Sequence, residues 1–231
     1  MNRRQFVATA AVGCVGVSAG CLSNLIEDAT TFSASPAVVG ESAADEAGYE
    51  YQGTEETVRS EEVAGEDVEA TNYISEYHRT IETLSVLGGD VDAGVFAVIT
   101  TPQVSVAGED FNPVGDMSNA EIIELIQSQY EELSVGKSVG GRAVDAFDGT
   151  TVSLESYEGE AAFRDQAEID VFLDIATPDH GGDHLVIVGV YPDDGNLPRN
   201  SERDRVDTMI RGLEHGDDVG AEIVESDADD G

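Results

Sequence analysis

The spacing of apolar residues along the chain switches between a period of two and one of about 3.6, and each switch marks an element. Phe32–Val39 reads as a first strand and Gly40–Ala47 as one or two helical turns rich in alanine and acid. Tyr49–Val63 is strand-like but acidic, and Ala64-Gly65-Glu66-Asp67 reads as a hairpin turn. Val68–Ile81 alternates, with Tyr73, Ser75, Tyr77 and Arg79 on one face and Asn72, Ile74, Glu76 and His78 on the other. Gly94–Thr100 is a continuous apolar run of the length expected for a central strand, ended by Thr101-Pro102. A long loop, Pro102–Ser118, comes next, in which Phe111 and Val114 are placed to plug the sheet edge.

The second half repeats the alternation of helix and strand. Ser118 and Glu121 form a capping box for a helix that carries Ile122, Ile126, Tyr130 and Leu133 on one face and closes at Gly136. Strands are expected at Arg142–Phe147, Thr151–Tyr157, Glu160–Phe163 and Ala167–Ala176, with turns at Asp148-Gly149 and Glu158-Gly159. His184–Tyr191 is the most apolar strand. Asn200 or Ser201 caps a last helix with Val206, Met209, Ile210 and Leu213 as its apolar stripe, ended by Gly216. The expected fold class is α+β: a largely antiparallel sheet of about six strands with two main packed helices. By analogy it resembles the PsbP-type α/β/α sandwich, in which a final helix follows the last hydrophobic strand. One domain is expected over residues 32–216. The tail, residues 217–231, carries seven acids and no base and is expected to be disordered.

The first twenty residues obey a different logic. A charged start, an uncharged stretch from Phe6 to about Ala19, and small residues before a cysteine make a three-part signal peptide. The apolar stretch is shorter than the roughly 20 residues a spanning helix needs. Arg3-Arg4-Gln5-Phe6 resembles the twin-arginine signature read by the twin-arginine export machinery. Ser18-Ala19-Gly20-Cys21 resembles a lipobox, with Ser18 where leucine is usual, which makes Cys21 the expected lipid attachment site after cleavage of residues 1–20. Residues 21–31 then form a tether, and the expected location is the extracytoplasmic face of the cell membrane, with the lipid membrane itself as partner. Cys14 and Cys21 are the two cysteines of the chain, so the mature domain contains no disulfide and depends on packing. Gly16-Val17-Ser18-Ala19-Gly20 matches a nucleophile-elbow pattern literally, but it lies in the leader and lacks the strand and helix that such an elbow joins.

Charge narrows the picture further. The chain has 48 acidic and 11 basic residues, a net charge of -37, and Lys137 is its single lysine. Such a charge destabilises a compact state by self-repulsion. In molar salt the Debye length falls to about 3 Å and the repulsion is screened. Abundant carboxylates with almost no lysine therefore indicate a protein adapted to concentrated salt. The same balance argues against nucleic acid as a partner, since phosphate recognition draws on arginine and lysine patches.

Candidate chemistry is sparse. Asp179, His180, Asp183 and His184 fall within six residues and could hold a divalent cation, although their Gly181-Gly182 centre also makes a plain hairpin loop. Gly136-Lys137-Ser138 resembles the end of a phosphate-binding loop, but Glu131 occupies the place of the required first glycine. His78 and His215 stand alone in sequence, and His215 is explained by the favourable dipole at a helix end. No cofactor and no catalytic residue is expected. The leading reading is a non-catalytic binding or accessory module, and the alternative is a cation-binding module or metal-dependent enzyme using the 179–184 loop.

From Gly94 to His215 the chain resembles haloarchaeal twin-arginine-exported lipoproteins of unknown function. The residues that carry the resemblance are Val95-Phe96-Ala97-Val98-Ile99-Thr100-Thr101-Pro102 and Phe111-Asn112-Pro113-Val114-Gly115-Asp116-Met117-Ser118. Ser128-Gln129-Tyr130, Val188-Gly189-Val190-Tyr191-Pro192 and Glu214-His215 add to it. The resemblance implies a salt-loving host and an envelope location, and no activity. The expected outcome in solution is unfolding of the domain, monitored by circular dichroism, as salt falls below roughly 1 M. Retention of structure in dilute buffer would refute salt adaptation.

Overall fold

A computed structural model describes residues 31–63, 66–81, 91–106, 109–110, 113–129, 133–163, 167–193 and 199–224. The elements in chain order are β1 (Thr31–Ser33), β2 (Ala37–Val39), α1 (Glu41–Ala47), β3 (Glu50–Val63), β4 (Glu66–Ile81), β5 (Val91–Pro102), β6 (Ser105–Val106) and β7 (Glu109–Asp110). Then come α2 (Pro113–Asp116), α3 (Asn119–Gln129), β8 (Leu133–Ala146), a 3-10 turn (Phe147–Gly149), β9 (Thr150–Phe163) and β10 (Ala167–Ala176). The chain continues through β11 (Asp179–His180), β12 (Asp183–Pro192), α4 (Arg199–Arg211), β13 (Leu213–His215) and β14 (Ile223–Val224).

Long alternating segments pair into one ten-stranded mixed sheet, with main order β14-β3-β4-β5-β12-β10-β9-β8. Neighbours from β3 to β8 along that order are antiparallel, while β14 on β3 and β1 on β4 are parallel. This overturns the expected α+β architecture of about six strands and two main helices. More than half of the described residues lie in strands, and the longest helix, α4, has 13 residues. The PsbP-type sandwich is set aside with it.

Three local misreadings account for the difference. Glu158-Gly159, read as a turn, lies inside β9, so two expected strands are one. Gly159 is there because a Cβ would stand 2.6 Å from the Ser134 carbonyl oxygen across the β8 pairing. Leu133 and Gly136 do not finish a helix. α3 is assigned only to Gln129, and Leu133 opens β8, so Gly136-Lys137-Ser138 is strand. α4 ends at Arg211, and Leu213–His215 then pairs with β2 instead of extending the helix to Gly216.

Several other expectations hold, and two more are corrected. β3 and β4 form the expected hairpin, closed at Val63 and Glu66; Glu66 and Asp67, read as turn, are already in β4, and Ala64 and Gly65 lie outside the described residues. Ser75, Tyr77 and Arg79 are buried on one face of β4, while Asn72, Ile74, Glu76 and His78 are half-buried on the other. β5 is central, between β4 and β12. The capping box forms as read: the Ser118 N–H and hydroxyl donate to Glu121 Oε2 at 2.8 Å each, and Glu121 N–H donates to Ser118 Oγ at 3.4 Å. Those bonds hold the Glu121 carboxyl below the usual range. The first strand is split at Ala34–Pro36 into β1 and β2. Within the expected disordered tail, Ile223 and Val224 pair with Thr54 and Glu55. Phe111 lies outside the described residues; Val114 packs against the core.

Alternation in the sheet sorts apolar residues into two cores. On one face Phe96, Val98, Val152, Leu154, Phe172, Leu185, Ile187 and Tyr191 meet α1, α4, β2 and β13. On the other, Val171, Leu173, Ile175, Val186 and Val188 meet Ile122, Ile123 and Ile126 of α3. β10 and β12, covered on both faces, are therefore near-continuously apolar, as doubly covered strands are. One exception stands out chemically. Asp174, fully buried in β10, accepts bonds from Ser156 Oγ (2.5 Å), Tyr191 Oη (3.1 Å) and Arg142 Nη2 (2.8 Å). Arg142 also donates from Nε to Asp207 of α4 at 2.6 Å. Burial alone would lower the guanidinium pKa, but the Asp174 and Asp207 carboxylates outweigh it and hold the group above its ordinary value. Burial first, and then Asp174, push the Tyr191 phenol up.

Removing one partner of a buried pair leaves the other charge uncompensated. Arg142→Met is therefore expected to cost about 3–5 kcal/mol in denaturant unfolding. Adding Asp174→Asn should recover part of that loss, because a neutral amide tolerates burial better than a lone carboxylate. Additive losses in the double variant would show that the pair is not coupled.

Candidate functional site

The four candidate ligands read from the sequence sit on the β11–β12 hairpin, and the hairpin separates them. Asp179 pairs with His184 and His180 with Asp183 as opposed residues. Successive side chains on a strand point to opposite faces, so the two pairs lie back to back. Gly181 and Gly182, at φ +64° and +96°, supply the left-handed backbone that this two-residue turn requires. Gln103 N–H donates to the Gly182 carbonyl at 3.0 Å and ties the turn to the end of β5.

One pair closes on itself. His184 Nδ1 lies 2.5 Å from Asp179 Oδ1, and α2 lies close against the ring. A Cβ at Gly115 would stand 2.4 Å from His184 Nε2, which accounts for glycine in α2.

The other pair is joined by a residue from the far end of the chain. His215 of β13 places Nε2 3.0 Å from Asp183 Oδ2 and Nδ1 2.8 Å from His180 Nδ1. The same Asp183 oxygen accepts the Ser35 N–H at 2.8 Å. Asp183 is 4% exposed and the His215 side chain 1%. Phe147 stacks on the His180 ring at 4.5 Å between centroids with 17° between planes, and meets His215 edge-on at 6.2 Å. To do so Phe147 takes φ +27°, the one described non-glycine residue with positive φ. Such strain persists only where surroundings impose it.

The order of protons along this chain is set by the partners. A carboxylate can only accept, so His215 carries hydrogen on Nε2. In its neutral form His215 offers a lone pair at Nδ1, which accepts the Nδ1–H of His180. That leaves Nε2 of the half-buried His180 as the end of an Asp183–His215–His180 line. The expected helix-dipole role of His215 is overturned: the residue is in a strand, opposite Ala37. The sequence carried no signal for this meeting, since His215 is 32 residues from Asp183 and 35 from His180. His78, also read as isolated, bonds Glu76 with Nε2 at 2.6 Å from Oε1.

Among the described residues no group of three or more His, Cys, Asp or Glu side chains is disposed to hold a metal ion. A separate cleft of about 410 Å³ is lined by Ser134, Glu158, Glu160, Asp170 and Asp193. Its walls are rich in carboxylates, so it repels anions. Arg3, Arg4, Phe6 and Cys21 lie outside the described residues.

A family model for a domain of unknown function, DUF6517, matches residues 36–214. The chain belongs to the DUF6517 family. The match begins one residue after Ser35 and ends one residue before His215, so it spans β2 to β12, all four described helices and the 179–184 hairpin, and leaves out β1 and β14 of the sheet. No curated protein matches the chain. Membership of the family carries no assigned activity.

Asp183 is thus the joint between the domain's first and last segments. Asp183→Asn keeps an oxygen for His215 Nε2–H and Ser35 N–H but removes the charge that strengthens both bonds, and should cost about 1–3 kcal/mol. Amide exchange at Ser35 and Gly216 should quicken selectively. Unchanged exchange at Ser35 would show that Asp183 does not hold that segment.

Proposed function

We propose that this protein is an exported, lipid-anchored component of the cell envelope whose folded domain acts as a non-catalytic binding or accessory module. The observation that carries the reading is the layout of the amino terminus. Arg3-Arg4-Gln5-Phe6 opens an uncharged stretch that ends at Ala19-Gly20-Cys21, and β1 begins at Thr31. A twin-arginine route suits a domain that reaches the membrane already folded. One acyl-type chain binds membranes only marginally and two bind stably, so Cys21 would carry a two-chain lipid.

The non-catalytic part of the reading is supported by how the buried polar groups are used. Asp174 directs both carboxylate oxygens to Ser156, Tyr191 and Arg142. Glu202 is paired with Arg79, and Arg205 donates to the Ala47 carbonyl at 2.7 Å. These groups join elements to one another and are spent on holding the fold. An accessory module of this kind would present its acidic surface and the acidic cleft between β8, β9 and β10 to a partner outside the membrane.

Cys21→Ser is expected to leave an exported but uncleaved protein that no longer partitions into the detergent phase. Lysine at both Arg3 and Arg4 should stop export and retain the precursor inside. Wild-type protein that stays in the aqueous phase, or membrane association unaltered by Cys21→Ser, would remove the anchor from the proposal. A ligand-shift melting screen in molar salt tests the binding role independently of the anchor.

A further inference from the structure

We infer that His180 and His215 form a two-nitrogen site for a divalent transition cation of the imidazole-preferring class, Cu2+ or Ni2+, with Asp183 orienting His215 from behind. The inference revises the cation reading of the 179–184 loop: it keeps His180 and Asp183, adds His215 and sets Asp179 and His184 aside.

Three observations converge on it. The first is the separation of the two Nδ1 atoms, 2.8 Å. Metal–imidazole bonds are about 2.0 Å, so two nitrogens 2.8 Å apart subtend about 90° at a shared ion. That is the angle between neighbouring ligands in square-planar or octahedral coordination, which Cu2+ and Ni2+ favour. A tetrahedral zinc site would require the nitrogens to open to about 3.3 Å.

The second is the support behind His215. A ligating histidine characteristically donates its other ring N–H to a carboxylate, which fixes the tautomer and raises the basicity of the ligating nitrogen. His215 Nε2 does this to Asp183, and Asp183 is itself fixed by the Ser35 N–H. The lone pair of buried His215 is thereby committed to Nδ1, facing His180.

The third is the fixing of His180. Phe147 stacks on its ring from a backbone held at φ +27°, and Gly181 leaves room for the His215 ring, which a Cβ would approach at 3.2 Å. Packing therefore holds the two rings in place with their Nδ1 atoms side by side. Binding replaces the hydrogen shared between the two Nδ1 atoms: as the ion takes both Nδ1 lone pairs, the His180 proton moves by way of solvent from Nδ1 to Nε2, with no net release. Two protein donors leave the remaining coordination positions to water or to an external ligand. Surface carboxylates hold hard cations such as Mg2+ and Ca2+, and imidazole discriminates against these.

The test uses the full chain purified without a polyhistidine tag, in molar KCl with excess Mg2+ to occupy surface carboxylates. Titration with Cu2+ or Ni2+ should show one tight equivalent that weakens as pH falls and protons compete for the imidazole nitrogens. His180→Ala should abolish the tight equivalent, and Asp183→Asn should weaken it roughly 10–100-fold. His184→Ala, on the opposite face, should leave it unchanged. A copper spectrum by electron paramagnetic resonance should show two nitrogen donors in the wild type, a readout that does not depend on any variant folding. Absence of a tight equivalent, fewer than two nitrogen donors, unchanged binding in folded His180→Ala, or equal loss in His184→Ala would each overturn the site. None of these results depends on whether Cys21 is lipidated.

Discussion

Two arginines place α4 on the sheet, and the closure of the whole domain rests on that placement. Arg79 reaches from β4 to Glu202 at one end of the helix, and Arg142 reaches from β8 to Asp207 toward the other, while also neutralising Asp174 beneath. In a chain with 48 acids and 11 bases, cations are scarce. These two lie in the interior, where charge–charge attraction is strongest and an unpaired charge is most costly. Arginine suits the task because its planar fork donates to several acceptors at once, and Arg142 donates to Asp207, Ser156 and Asp174 together. Between the two anchors, Val206, Met209 and Ile210 fill the apolar surface of the sheet, and Gly189 of β12 lets Val206 approach its backbone closely.

The position of α4 sets the path of the chain beyond it. Gly212, pressed against Ala43 of α1, turns the backbone out of the helix, and β13 pairs at once with β2. That pairing brings His215 to Asp183, and Asp183 in turn holds Ser35 at the entrance to the domain. The first and last segments of the domain are thus fastened at one carboxylate. The aligned histidines are a consequence of how the fold closes, and their orientation is set by packing on Phe147 as much as by hydrogen bonds.

Much of the secondary structure was legible because its signals are local. The capping box at Ser118 and Glu121, the alternation of Ser75, Tyr77 and Arg79, and the stripe of Val206, Met209 and Ile210 each depend on neighbours within a turn or two of chain. The errors arose where a local signal had a non-local cause. Gly159 looked like a turn residue, but it is glycine because the β8 backbone lies against it. Leu133 fitted the period of α3, yet it opens β8 and pairs with Ala161. A helix stripe and the first inward residue of a strand look alike over one step, and only the partner strand distinguishes them.

By itself the sequence determined the chain's acidity, the cysteine arithmetic, the central apolar strands and the apolar stripe of the last helix, because each is a property of composition or of nearest-neighbour spacing. It also named His180 and Asp183 as chemically interesting. Only the tertiary structure decided that the four hairpin candidates divide between two faces and that His215 completes one of them. The physical reason is that strand pleating sends adjacent side chains apart, while sheet closure brings together residues that no sequence window contains.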